Sequence, residues 1–281
     1  RLQLETGSGA DFAAIVEEVL HHPSGRLLAE LAIKTVGRGA NEADQVAQAR
    51  DEIHAVFDVL RREPPRALQE LDLYARTDLG ELGKLWVALP RLRRISVTAR
   101  SFELDSLAAP TVQRARFIGT ALSPRCVQAI AAAPWPVLER LELRLGTRFG
   151  KVAAAFEDLR PLLVRNDLPA LTHLKIRNAS FAGAICRVLA ESPLAGQLVV
   201  LDLSKGLMSP QDLMVLARYK TRFTQLRELW IGMHGMLWAD AVKLLDGVAK
   251  HIVSDSKSPL DTLDTELGGD DDPDRYDDVE E

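Results

Sequence analysis

Apolar residues recur along most of the chain as a short triplet of Leu-x-x-Leu-x-Leu type. The copies are Leu28-Leu31-Ile33, Leu68-Leu71-Leu73, Leu92-Ile95-Val97, Leu138-Leu141-Leu143, Leu171-Leu174-Ile176, Leu198-Leu201-Leu203 and Leu226-Leu229-Ile231, with a weaker one at Val112-Ala115-Phe117. First anchors fall at 28, 68, 92, 112, 138, 171, 198 and 226, which gives intervals of 40, 24, 20, 26, 33, 27 and 28 residues. Periods in this range mark a repeat architecture, in which a unit buries its apolar face only against its neighbours. The last two anchors of each copy are two apart, the period of a strand. Both therefore enter one face of a sheet, and the residue between them faces the other way.

Turns and helices are predicted between the triplets. Phe102, Leu122, Phe181, Met208 and Met236 each lie ten residues after their first anchor. Ser123-Pro124 and Ser209-Pro210 pair an N-capping Ser with Pro at the first helical position, which predicts helices over 125–133 and 211–220. A strand feeding a helix feeding a parallel strand predicts an α/β solenoid, with about eight parallel strands on the concave face and helices on the convex face. Ahead of the triplets, residues 11–22 predict an amphipathic helix with Phe12, Ile15, Val16, Val19 and Leu20 on one side, suited to cap the stack. The long first interval holds a second helix, about 42–62, with Val46, Ile53, Val56, Phe57 and Leu60 inward. The chain thus divides into an N-terminal cap (1–27), a solenoid (28–253) and a tail (254–281).

The spacing resembles that of leucine-rich repeat proteins, with the longer helical units of the ribonuclease-inhibitor-like type. The resemblance covers roughly 28–252 and is best in Leu198-Val199-Val200-Leu201-Asp202-Leu203 and Leu226-Arg227-Glu228-Leu229-Trp230-Ile231. His22-Pro23-Ser24-Gly25-Arg26, Leu85-Trp86-Val87-Ala88-Leu89-Pro90 and Asp274-Arg275-Tyr276 are similar to segments of uncharacterised bacterial leucine-rich repeat proteins. The resemblance implies a horseshoe and brings no known activity with it. The chain departs from the family where an Asn or Cys usually closes the turn after each strand. Val36, Arg76, Arg100, Thr120, Gly146, Ala179, Gly206 and His234 stand there instead, so these turns must be closed by other means.

Charge divides the chain. Residues 261–281 hold eleven acids against Arg275 and carry −10, while residues 1–260 carry +5, which together make the overall −5. A segment that acidic, with Gly268-Gly269 and Pro273 in it, is expected to be disordered. No run approaches the roughly 20 apolar residues of a membrane span. Residue 1 is Arg with no basic-apolar-small leader after it, and two cysteines cannot build a disulfide framework. A reducing, cytoplasmic setting is the expectation.

Catalytic and metal chemistry find no pattern. Gly7-Ser8-Gly9 lacks the Lys-Ser/Thr of a phosphate loop, and the six histidines have no metal-ligand spacing. Cys126 and Cys186 fall among apolar neighbours in predicted helices, as buried small hydrophobes do. The expectation is therefore a protein without catalytic residues, metal or cofactor, and not an enzyme.

The strand positions between the anchors are more informative, because alternation places them on the concave surface. In the four central copies they are Arg114, Arg116 and Ile118; Arg140, Glu142 and Arg144; His173, Lys175 and Arg177; and, one copy earlier, Arg94, Ser96 and Thr98. Tyr74 and Trp230 stand toward the two ends of this patch. Six Arg and one Lys face a single acid, Glu142, so the guanidinium groups are expected to lie side by side without an anionic counterpart. Arg presents a planar fork matched to carboxylate or phosphate. The expected function is a protein-interaction scaffold whose partner has an acidic or mixed-charge surface. Binding residues would be Arg94, Arg114, Arg116, Arg140, Arg144, His173, Lys175 and Arg177, with Tyr74 and Trp230 as edge anchors. Nucleic acid or another polyanion through the same patch is the alternative, weakened for nucleic acid by few interleaved aromatics and by the attached acidic tail. That tail could also occupy the patch itself.

Overall fold

The computed structural model describes residues 1–5, 11–35, 42–120, 122–145, 154–233 and 235–254. Expectations for the acidic tail fall outside these residues. The strands are β1 (Leu2–Glu5), β2 (Glu30–Thr35), β3 (Glu70–Glu81), β4 (Arg94–Glu103), β5 (Arg114–Gly119), β6 (Arg140–Arg144), β7 (His173–Arg177), β8 (Val200–Met208), β9 (Glu228–Met233) and β10 (His251–Ser254). They form one ten-stranded sheet in chain order, β1 to β10, and every pair is parallel. Eight strands begin two residues after a first anchor. The other two, β1 and β10, extend the sheet at each end, so the segment expected only to cap the stack with a helix also adds a strand. Leu2 and Leu4 supply its alternation, and they pair with Leu31 and Ile33.

Helices separate most strands: α1 (Phe12–His21), α2 (Glu42–Arg62), α3 (Gly83–Ala88), α4 (Pro124–Ala132), α5 (Phe156–Leu163), α6 (Ala182–Glu191), α7 (Pro210–Arg218) and α8 (Trp238–Leu244). The Ser123 and Ser209 caps are those the sequence predicts, and Asp11 adds a third. Asp11 accepts the Ala14 amide at 3.0 Å to start α1, and Ser123 accepts the Cys126 amide at 3.2 Å to start α4. Helices pack against one another in a second layer, and between the layers lies the core. The anchors Leu71, Leu73, Ile95, Val97, Leu141, Leu143, Leu174, Ile176, Leu201 and Leu203 are all buried there, beside Val127 and Ile130 of α4, Ile185 and Leu189 of α6 and Leu213 of α7. One face of the sheet is covered by helices. The other is open.

Among the described residues, several of the turns without the expected Asn are closed laterally, by hydrogen bonds between neighbouring units. Thr120 donates its amide (3.0 Å) and hydroxyl (2.6 Å) to the Arg100 carbonyl, the Leu145 amide reaches the Arg177 carbonyl at 3.3 Å, and the Asn178 amide reaches the Ser204 carbonyl at 3.0 Å. The Glu81 carboxylate takes the amides of Gly83 and Asp105. Asn178, just after β7, and Lys205, within β8, stand at φ 59° and 57°, the left-handed conformation that Asn tolerates best.

Asp212, at the start of α7, ties its own unit to the one before it. Its carboxylate accepts the Ser209 amide (3.0 Å), the Ser209 hydroxyl (2.7 Å) and the Arg187 guanidinium of α6 (2.6 Å). Gly183 leaves the space, since a Cβ there would sit 2.2 Å from the carboxylate carbon. Burial works to raise the Asp212 pKa, but the Ser209 hydrogen bonds and the Arg187 hydrogen bond and charge outweigh it and hold the carboxyl below its ordinary 3.8. A depressed folded pKa contributes stability that is present above 3.8 and lost as pH falls through the lower folded value. Urea titrations across that acid range should show a stability loss in the wild type that Asp212→Asn lacks, and the variant should be less stable at pH 7 by about 1–2 kcal/mol. Gly183→Ala should cost a further measure of the same order, about 1–3 kcal/mol, read as a lower urea midpoint.

Candidate functional site

Strand register aligns the open-face residues into rows that run across the sheet. The first row reads Glu30, Glu70, Arg94, Arg114, Arg140, His173, Val200, Glu228 and His251. The second reads Gln3, Ala32, Asp72, Ser96, Arg116, Glu142, Lys175, Asp202, Trp230 and Val253. The third reads Glu5, Lys34, Tyr74, Thr98, Ile118, Arg144 and Arg177. All ten residues singled out in the sequence therefore lie on the same face. Neighbours within a row are about 4.8 Å apart at the backbone.

Their surroundings differ from the picture of unopposed guanidinium groups. Glu142 stands between two arginines, with Arg116 Nε at 3.5 Å and Arg177 Nη1 at 3.7 Å. Arg177 Nε also lies 3.7 Å from Asp202 and donates to the Ser204 hydroxyl at 3.2 Å, while Asp202 accepts the Ser204 amide at 2.8 Å. Arg94 faces Glu70 at 3.8 Å. Arg94, Arg116 and Arg177 thus each have an anionic counterpart, Glu70 in the first row for Arg94 and the second-row acids Glu142 and Asp202 for the others, because these acids come into reach across the strands. Glu142 and Asp202 are mostly shielded, at 19% and 10% side-chain exposure, where a cation between two acids is worth more than a surface pair.

The remaining residues divide by burial. Arg144 is 3% exposed, so it supports the sheet from within and presents no charge to an approaching partner. Arg140, His173 and Lys175 are half-buried, and the Thr172 hydroxyl meets His173 Nδ1 at 2.9 Å. Tyr74 is half-buried under Lys34, whose ammonium lies 5.8 Å from the ring centre, and Trp230 donates its indole N–H to Glu228 at 3.0 Å. Arg114 is exposed, and its side chain makes no hydrogen bond or ion pair among the described residues. In the first row Arg114 presents its charge, and in the second Glu142 and Asp202 are engaged by arginines.

Sequence reasoning counted the charges and missed their pairing. The signal was available: reading the fifth position of successive copies across gives Arg116, Glu142, Lys175, Asp202, an alternation of sign that a parallel in-register sheet turns into contacts. It also missed one cluster away from the sheet. Glu17 and His21 of α1 meet Glu63 after α2, with possible ligand atoms within 4.8 Å of one another. The guanidinium of Arg62 already serves that cluster, 2.9 Å from Glu17 and 3.7 Å from Glu63. Cys126 and Cys186 are buried free thiols whose pKa values are pushed up, first by burial and then by the nearby carboxylates of Glu103 and Asp212 respectively, which leaves them protonated and unreactive near neutral pH.

Removing the shared acid tests this electrostatic arrangement. Glu142→Gln leaves Arg116 and Arg177 facing each other, and stability in urea should fall by about 1–2 kcal/mol, more at low salt than at high salt. An unchanged midpoint at both salt concentrations would mean that the pairs contribute nothing.

No protein-family model matches the chain, and no curated protein matches it. Its fold is similar to the crystal structure of a protein from the bacterium Bacteroides fragilis, with a TM-score of 0.65 at 17% sequence identity over 90% of this chain and 74% of that one. Among the described residues no helix is long and apolar enough to cross a membrane.

Proposed function

We propose that the chain is a leucine-rich repeat protein of the ribonuclease-inhibitor-like type, acting as a non-catalytic interaction scaffold. Its open sheet face is the concave face of the horseshoe. There it binds an acidic or mixed-charge protein surface, through Arg94, Arg114, Arg116, Arg140, His173, Lys175 and Arg177, with Tyr74 and Trp230 at the margins. The observation that carries the reading is the first row: Arg94, Arg114, Arg140 and His173 stand on four adjacent strands at one register, and Arg114 projects with no partner among the described residues. Desolvated contact with carboxylates would supply to Arg114 what neighbouring acids supply to Arg116 and Arg177. Two free, buried cysteines fit a reducing cytoplasm.

Arg144 is unsuited to a test of binding because its burial makes any charge reversal a folding experiment. Arg114→Glu combined with Arg140→Glu reverses the first row instead. This double variant should lose at least about tenfold affinity for acidic protein partners, measured by salt-dependent retention on immobilised acidic peptide, while its urea midpoint changes little. Unchanged retention contradicts the proposal. Nucleic acid or another polyanion is the second reading, favoured only by the guanidinium row, and a mobility shift at low salt separates the two.

The acidic tail enters as an intramolecular competitor. Tethering places its eleven acids at an effective concentration of about millimolar near the same face. Deleting 264–281 should raise affinity for an acidic partner several-fold at low salt, an effect that fades as salt is added. Equal affinity with and without the tail, measured by calorimetry, would leave it no competing role.

A further inference from the structure

On the premise of the binding face just proposed, we infer that the partner offers its acids from one side of an α-helix, about twelve residues long, lying across strands β4 to β7. The row itself sets the geometry. Arg94, Arg114, Arg140 and His173 are register partners on consecutive strands. Strands spaced about 4.8 Å apart put about 14 Å between the first and the last. A ligand that engages all four must repeat its acids at close to that interval.

An extended peptide does so poorly. Side chains on one side of it recur every second residue, about 6.7 Å apart, so it gains about 2 Å per strand and is about 6 Å out of step by the fourth. An α-helix rises about 1.5 Å per residue, and acids at i, i+4, i+7 and i+11 lie on one face at a mean interval of about 5.5 Å. The accumulated error across the row is then about 2 Å, within the swing of an arginine side chain.

The ends of the row fix the length and the flanks. Glu70 lies immediately before Arg94, and Val200 then Glu228 lie immediately after His173. Acids beyond the four-strand block would face these carboxylates, so a longer acidic run is penalised. Val200 is apolar, and Trp230 stands beside it one strand on in the second row. Together they suit a hydrophobic side chain one turn past the last acid. In the second row, the alternation Arg116, Glu142, Lys175, Asp202 carries little net charge and tolerates a polar flank of the helix.

Fluorescence anisotropy on the full chain tests this with three labelled peptides. One is a stapled alanine-based helix with Glu at i, i+4, i+7 and i+11. The second is a proline-rich extended peptide with four Glu at alternate positions. The third is the stapled helix with two more Glu at each end. The first should bind at least about tenfold more tightly than the second, and Arg114→Glu should reduce its affinity by about tenfold or more. The third should bind more weakly than the first. Equal affinity for the first two, both lost in Arg114→Glu, overturns the helical partner but keeps an anion-binding face. Tighter binding of the third overturns the bounded block. Binding of none, or binding indifferent to Arg114→Glu, overturns this inference and the binding face together.

Discussion

Each strand hands its register to the next through one backbone carbonyl at its leading edge. The carbonyls of Ala29, Gln69, Arg93, Gln113, Glu139, Thr172 and Val199 each accept two successive amides from the following strand, at 2.7–3.1 Å. A single-residue slip anywhere in this ladder would turn a strand's apolar set outward and its charges into the core, so the ladder and the buried anchors enforce each other. The helical layer, the aligned rows and the electrostatics of the open face all depend on that lock.

The lock explains why charges far apart in sequence act together. Glu142 reaches Arg116 and Arg177, 26 and 35 residues away, because all three occupy neighbouring strands on one face. The same register sorts the guanidinium groups by role. Those aligned with acids are neutralised where they stand and brace the sheet, and the burial of Arg144 makes it part of the scaffold. In the first row Glu70 lies against Arg94, while Arg114 is exposed and its side chain has no hydrogen bond or ion pair among the described residues. Arginine content alone would not distinguish these groups.

Much of the fold was legible because it depends on periods of two and three to four residues that a linear sequence displays. The triplets located eight strands, and the Ser-Pro pairs placed α4 and α7 to within two residues. The end strands β1 and β10 escaped because four-residue edges lack the third anchor that made the other copies visible. The turns were a correct absence without a replacement: missing Asn is readable, but lateral backbone bonds such as Asn178 to Ser204 involve no residue type and leave no mark on the sequence. For the site, alternation placed all ten residues on one face. Burial of Arg144 and the sharing of Glu142 depend on cross-strand distance, which the count of charges per repeat does not contain.

Chemical footprinting of arginines tests the central claim most directly, namely that the first row is the surface where charge is offered. Phenylglyoxal modification, read residue by residue by mass spectrometry with and without an acidic protein or peptide, compares the two faces in one sample. The account predicts that Arg94, Arg114 and Arg140 react in the free protein and are protected in the complex. Arg125, exposed on α4 and paired with Asp105 at 2.8 Å, should keep its reactivity throughout. Protection of Arg125 and the other helix-side arginines, with the first row still reactive, would contradict it.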